Sequence, residues 1–340
     1  MQTAFYALTL VVATYLWGYF FYKKDYHPQP VKVIVQIFGM GVFAMIPIFG
    51  YKAIYQNYLP MLSEYEIFKP LLTNPFLIGL TYFAFNLVML YTVLFTLSGL
   101  LTLILTFFKQ ETLLNIKRAI REESLDFIGV SMMIGLLIYI ESFIQTHWGI
   151  RLVQTVLGTI LFLGIIEEYI KHLIVRMVDD KKLKDIDDAI TLSVIVGLAF
   201  AFIETVIYAL SVGDLHLIIY RIFLSLPVHM IASGIFGYYY GLAHFAKPIM
   251  EKEGGDKMVH PGWLPKILKW KRSTAYAEGK VTEGLFFATL FHVVANVLFE
   301  ISLAFLVVPL VVVGIMMVGH LYKAGQTEWR RILRRVRHSS

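Results

Sequence analysis

The chain has 340 residues, of which 58% are hydrophobic and only 16% are charged, and its mean hydropathy is +0.68. A soluble domain is nearer one quarter charged, so this composition excludes an ordinary soluble globular protein and indicates an integral membrane protein. The apolar runs have the length of membrane-spanning helices, about 20–25 residues, and not that of barrel strands. The chain has no cysteine, which excludes disulfides, a thiolate nucleophile and cysteine-ligated metal.

Hydropathy predicts about nine membrane-spanning helices. They cover residues 4–22, 31–54, 75–108, 127–146, 150–176, 189–212, 216–246 and two halves of 281–322 that meet near Glu300 and Ser302. Between the third and fourth spans, residues 109–126 have the spacing of an interfacial amphipathic helix, with a solvated linker helix as the equal alternative. The longest polar loop is predicted at residues 247–280. The expected fold class is all-α, a polytopic membrane helix bundle.

Lysine and arginine are distributed asymmetrically over the predicted loops. The loops after odd-numbered spans hold nearly all of them, whereas the loops after even-numbered spans hold only Lys52, Lys69 and Arg151. Because cytoplasmic loops carry the excess of basic residues, the N-terminus is predicted outside and the C-terminus in the cytoplasm. The net charge of +6 then indicates contact with an anionic inner leaflet and not nucleic-acid binding.

Glu167, Glu168 and Lys171 lie inside a long apolar run, where lipid would surround them. A charge at the centre of a membrane helix costs about 2.5–3.5 kcal/mol, so such groups pair, line a wet cavity or take part in chemistry. Helical spacing places Glu167 and Lys171 on one face together with Gly164, and for this pair alone a purely structural i,i+4 ion pair is the equal alternative to a functional role. Glu168 is predicted to be turned aside, toward a neighbouring helix or a metal.

Three later spans also carry polar residues at depth. They are Glu204 in the sixth, His229 in the seventh, and His292 with Asn296 in the eighth. Small residues share their faces and permit close helix packing, namely Gly197, Ala201, Ser225, Ser233, Gly237, Gly284 and Ala288. We expect the four helices to converge on one site, because a purely structural role explains one such residue more readily than the whole set. His172 and Arg221 are predicted near span ends, His172 with its polar tip at the headgroups.

These residue types favour attack of an activated water on an amide. A carboxylate in an apolar cavity can act as a general base near neutral pH, and a His and an Asn one turn apart can stabilise a developing oxyanion. The alternative is a zinc ion that activates the water, although the chain has no His-Glu-x-x-His helix. A zinc form would use Glu168, Glu204, His229 and His292. We favour a site without a cofactor.

Four segments resemble the motifs of the PrsW family of intramembrane proteases. Glu167–Lys171 is similar to its EExxK motif, Phe200–Glu204 to its FxxxE motif, His229 with Gly237–Gly241 to its third block, and His292–Asn296 to its HxxxN motif. The resemblance covers about residues 150–300. The related CAAX prenyl proteases have His at the position of Glu204 and Arg one residue after that of Lys171, so PrsW is the better match. Thr205 departs from the Asn that often follows the glutamate in PrsW proteins.

The resemblance implies a membrane-embedded peptidase of the bacterial cytoplasmic membrane that acts on another transmembrane protein, with the first cut of an anti-sigma factor as the best-known family role. Glu167 is then the expected base, supported by Glu204. His292 and Asn296 are expected to stabilise the oxyanion, with Glu168, His229 and Lys171 positioning the set. We expect an N-terminal transmembrane extension at 1–126, a catalytic core at 127–322 and a basic tail at 323–340.

Two other classes of protein are weighed against a protease. A proton- or ion-coupled transporter also uses buried Glu and His residues, but no internal repeat is evident in the sequence. A non-catalytic scaffold that binds membrane helices is disfavoured, because each motif position keeps its acid, His or Asn.

Overall fold

The computed structural model describes the chain in segments. They are residues 2–53, 65–66, 74–84, 87–88, 91–92, 128, 131–132, 135–136, 138–140, 142–144, 146–147, 156–179, 183–212, 215–252, 255–259 and 270–336. The predicted interfacial helix at 109–126 lies outside these segments. All that follows concerns the described residues.

The described chain is almost entirely helical. Its helices are α1 (Gln2–Tyr22), α2 (Val31–Ala53), α3 (Val156–Asp179), α4 (Ile186–Val212), α5 (Leu215–Tyr220), α6 (Leu226–His244), α7 (Ala246–Lys252), α8 (Arg272–Glu300) and α9 (Val307–Val336). A π-helical segment, Arg221–Ser225, joins α5 to α6, and a 3-10 turn, Ala304–Leu306, precedes α9. Two short strands, β1 (Met258–Val259) and β2 (Trp270–Lys271), pair antiparallel.

Five helical stretches among the described residues are long and apolar enough to cross a bilayer. They are Phe5–Tyr22, Ile186–Ser211, Leu215–His244, Arg272–Glu300 and Ala304–Ile332. The chain is therefore an integral membrane protein with an all-helical fold. The predicted break near Glu300 is confirmed, since α8 ends at that residue and Ser302 in the following turn has a φ of 59°.

The structure corrects two expectations outside the spans. The predicted loop at 247–280 contains α7, the strand pair and the first turns of α8, which begins at Arg272. Asp256 accepts hydrogen bonds from the backbone N–H and the hydroxyl of Ser273, which satisfies a donor in the first turn of α8. The residues predicted as a basic tail continue α9 as far as Val336.

The helices fall into two compact units, one of Met1–Gly41 with Glu168–Ser340 and one of Val42–Glu167. At the centre of the first unit, residues 186–201 of α4 and 225–237 of α6 are buried without interruption. A helix that is apolar all round suits burial on every side, which explains the continuous hydrophobic run of α4.

Small residues bring the central helices of the first unit close together. A Cβ placed on Gly197 of α4 would lie 2.5 Å from the His229 carbonyl oxygen and from Ser233 Oγ on α6. A Cβ on Gly284 of α8 would lie 2.8 Å from the Tyr239 side chain of α6. The predicted small-residue faces therefore pack as expected and place α4 and α8 directly against α6.

In the second unit, a shorter apolar helix, Pro75–Ala84, approaches the segment around residue 135. A Cβ on either Gly79 or Gly135 would lie 2.8 Å from the carbonyl oxygen of the other residue. Glycine at both positions is what permits this backbone contact.

Candidate active site

Four helices position the polar residues that the sequence singles out. Glu167, Glu168 and Lys171 lie on α3, Glu204 on α4, His229 on α6, and His292 with Asn296 on α8. The side chains of Glu168, Lys171, Glu204, His229 and His292 form one continuous series of contacts. Asn296 is half-buried one turn beyond His292.

Lys171 links the acidic helix α3 to α6. Its Nζ lies 2.5 Å from Glu168 Oε1 and 3.0 Å from His229 Nδ1, and its side chain is 2% exposed. Glu168 reaches a neighbouring helix, as the sequence suggested, and it is the carboxylate that pairs with Lys171. Angles on a helical wheel relate residues of one helix, but the rotation of α3 against its neighbours decides which residue faces inward.

Glu168 also binds His292 of α8. Its Oε1 lies 2.7 Å from His292 Nδ1, and both side chains are almost completely buried. An ionised carboxylate only accepts hydrogen bonds, so Nδ1 carries the proton and Nε2 is the basic nitrogen of His292. The His229 and His292 rings lie 4.5 Å apart between centroids and cross at 62°.

His229 has a defined tautomer for a similar reason. An ammonium group only donates, so Nδ1 accepts from Lys171, and Nε2 donates to Glu204 Oε2 at 3.1 Å. His229 is therefore a neutral imidazole with both nitrogens engaged. The Glu204 carboxylate sets its orientation in the way that carboxylates orient functional histidines.

Arg221 is a residue of this site that the sequence interpretation missed. Its Nη2 lies 2.7 Å from Glu204 Oε2, its Nε donates to Thr205 Oγ1 at 3.3 Å, and its guanidinium lies over the Tyr208 ring at 4.2 Å. Arg221 opens the π-helical segment, a form that is frequent at functional sites. A π-helix has no reliable sequence signal, so the position near a span end suggested only an anchor at the membrane surface.

Glu167 is 5% exposed and precedes Glu168 on α3. The helix α3 runs unbroken through both residues. Glu167, His229 and His292 each offer a ligand atom, and these atoms all lie within 4.8 Å of one another.

This group suits a zinc ion by its chemistry. Two imidazoles and one carboxylate are a common ligand set for catalytic zinc, which leaves a fourth position for water. Glu168 and Glu204 contact the other ring nitrogens of His292 and His229, as carboxylates do behind zinc-bound histidines. Lys171 Nζ lies 3.0 Å from His229 Nδ1, the nitrogen that would bind the ion, so the lysine would have to move aside for zinc to bind there. The set differs from the predicted one in using Glu167 in place of Glu168 and Glu204.

The formal charges of the site nearly balance. Lys171 and Arg221 face three buried or half-buried carboxylates, those of Glu167, Glu168 and Glu204, which leaves a formal excess of one negative charge. Buried charge is tolerated when it is compensated, so a proton or a further cation is expected to accompany the fully formed site.

His172 departs from its predicted place near the headgroups. It is completely buried and lies among Tyr169, Phe236 and Tyr240, with its ring centroid 4.8 Å from that of Phe236. His172 is the residue after Lys171 on α3, and its side chain packs among aromatic residues of α3 and α6.

Apolar helices long enough to span a bilayer, with buried carboxylates and imidazoles where they meet, are the features expected of an intramembrane hydrolytic enzyme. The model of the family described as PrsW family intramembrane metalloprotease matches residues 125–320, more than half of the chain. The chain therefore belongs to the PrsW family of intramembrane proteases. No curated protein and no solved structure was found to match it.

Proposed function

We propose that this protein is an intramembrane endopeptidase that cleaves a peptide bond in another transmembrane protein of the bacterial cytoplasmic membrane, as in the first cut of an anti-sigma factor. The buried series of contacts among Glu168, Lys171, Glu204, His229 and His292 is the observation that supports it. Polar groups at membrane depth are expensive, and this series joins four helices at the positions of the family motifs.

Glu167 is the general base in this proposal. It takes a proton from a water molecule whose oxygen attacks the scissile carbonyl carbon, and the proton then passes to the leaving nitrogen as the C–N bond breaks. Asn296 donates a hydrogen bond to the carbonyl oxygen as negative charge develops there, and His292, one turn away on α8, does the same when its Nε2 also carries a proton. Glu168 accepts the Nδ1 hydrogen of His292 and orients the ring.

The remaining residues position the site. Arg221 pairs with Glu204 and holds it in place, Glu204 accepts a hydrogen bond from His229 Nε2, and Lys171 joins His229 to Glu168. In a zinc form, Glu167, His229 and His292 would hold the ion, which would supply a bound water of lowered pKa. These three residues serve in both forms, so the same variants test the assignment.

The experiment is co-expression with tagged single-span membrane proteins, comparing wild type with Glu167→Gln and His292→Ala. We expect each variant to lose at least about 100-fold in cleavage while it keeps wild-type abundance. Glu300→Gln, an exposed glutamate at the end of α8, is the matched control and should cleave normally. Equal fragments from wild type and Glu167→Gln would contradict the protease assignment.

A chelation arm on the purified protein separates the two forms of the enzyme. Strict chelation followed by the cleavage assay should leave activity intact if Glu167 acts without metal, the form we favour. Loss of activity that returns on addition of zinc would assign the zinc form instead.

A further inference from the structure

A second group of buried acids lies outside the active site, where the turn after α1 meets the start of α4. Asp25, Asp185 and Asp188 each offer a carboxylate oxygen, and these atoms all lie within 4.8 Å of one another. Asp187 is adjacent, and all four residues are at most 6% exposed.

These carboxylates have little positive charge beside them. Among the described residues, the ion pair at this cluster is that of Asp185 Oδ2 with His27 Nδ1 at 3.2 Å, and the His27 side chain is 57% exposed. No lysine or arginine of the described chain forms an ion pair with Asp25, Asp187 or Asp188. Several buried carboxylates at this spacing repel one another strongly unless a cation or protons accompany them.

A separate observation concerns the individual oxygen atoms. In Asp25 and Asp188, one oxygen accepts a backbone N–H, from His27 at 2.9 Å and from Lys184 at 2.7 Å. The other oxygen of each, Asp25 Oδ2 and Asp188 Oδ1, is buried without a well-formed hydrogen bond, although the Thr191 and Gln29 side chains lie near these carboxylates. Asp187 Oδ1 is likewise buried without one. Buried oxygens in folded proteins are nearly always satisfied, so these atoms are available to a ligand.

We propose that Asp25, Asp185 and Asp188 bind a hard divalent cation of the size of Ca²⁺ or Mn²⁺. Oxygen ligands of one Ca²⁺ lie about 2.3–2.6 Å from it, so two of them can be up to about 5 Å apart, which accommodates the observed spacing. A set of carboxylates alone selects such ions over zinc, which prefers nitrogen and sulfur.

The cation has a structural role in this proposal. Asp25 follows α1, whereas Asp185 directly precedes α4 and Asp188 lies in its first turn, so one ion joins the N-terminal helix to the buried centre of its unit. Asp187 extends the connection to α9, because its Oδ2 accepts a hydrogen bond from Gln326 Nε2 at 2.7 Å. The ion would thereby hold α1, α4 and α9 together at one membrane face.

The test measures Mn²⁺ binding to the purified full-length protein in detergent. The protein is first freed of metal by chelation and desalting, and the binding of added Mn²⁺ is then measured by electron paramagnetic resonance. Wild type should bind Mn²⁺, Ca²⁺ should displace it, and Asp25→Asn should weaken binding at least about tenfold. The double variant Glu167→Gln/His292→Ala, which removes two ligands of the active-site group, should bind Mn²⁺ like wild type.

Two results would overturn the cation site. One is wild-type protein that binds no Mn²⁺, and the other is Asp25→Asn that binds as tightly as wild type. Thermal unfolding of Asp188→Asn is a second, independent test. Ca²⁺ should raise the melting temperature of wild type and not that of the variant. An Asp188→Asn protein more stable than wild type in Ca²⁺ would instead indicate uncompensated repulsion.

Discussion

At the scale of single residues, Lys171 connects the acidic residues of α3 to the histidine of α6. Its ammonium pairs with Glu168 at the i,i+3 spacing and contacts His229, so a buried negative charge is compensated where two helices meet. The sequence showed that these residues lie inside an apolar run and predicted them at membrane depth, because the cost of a charge in such a run is a local property. It did not show the partner of Lys171 or the role of Arg221, since both depend on how separate helices are rotated.

Replacing Lys171 by Met should destabilise the protein by about 3–5 kcal/mol, because Glu168 is left buried without its cation. The double variant Lys171→Met/Glu168→Gln should recover much of this loss. Equilibrium unfolding in mixed micelles measures both. Lys280→Met is the matched control, since its i,i+3 pair with Glu283 is partly exposed and should contribute less than about 1 kcal/mol. Equal losses at the two positions would contradict the buried pair.

At the scale of helices, the contact between α4 and α6 sets the distance between Glu204 and His229. Gly197 permits it, because any side chain there would meet the His229 carbonyl and Ser233. The small-residue pattern predicted this packing correctly, since Gly197 shares a helix face with Glu204 and Gly284 shares one with His292. The π-helical segment and the early start of α8 were missed, because hydropathy records apolar length and carries no signal for either.

Gly197→Ala should destabilise the protein by about 1–3 kcal/mol and lower cleavage, since the added methyl group forces α4 away from α6. Thermal unfolding and the cleavage assay read the two effects. Gly279→Ala on α8 is the control, because a Cβ there meets no atom within 4 Å and alanine is the better helix former by up to about 1 kcal/mol. A Gly197→Ala protein as stable and active as Gly279→Ala would show that the close approach is unimportant.

At the scale of the whole molecule, the chain is a helical membrane protein whose described part contains five candidate spans. The count of about nine spans, the division at residues 126 and 127, and the orientation stay predictions. The orientation depends on the distribution of Lys and Arg, which hydropathy and packing do not report.

The absence of native cysteine allows a direct test of orientation by labelling with a membrane-impermeant maleimide. Gln2→Cys should react in intact cells, and Ser340→Cys should react only after the membrane is permeabilised, because the distribution of basic residues predicts a cytoplasmic C-terminus. Labelling of Ser340→Cys in intact cells would reverse the predicted topology, and cysteine-free wild type supplies the background.

The sequence by itself determined that this is an all-helical membrane protein of the PrsW type with glutamates and histidines inside its apolar runs. Those properties follow from apolar run length, from charge placement and from motif spacing, all of which are local. Only the tertiary structure decided that Glu168 faces His292, that Arg221 holds Glu204, and that Asp25 meets Asp188. Each is a contact between helices or turns that are distant in the chain, and only packing brings them together.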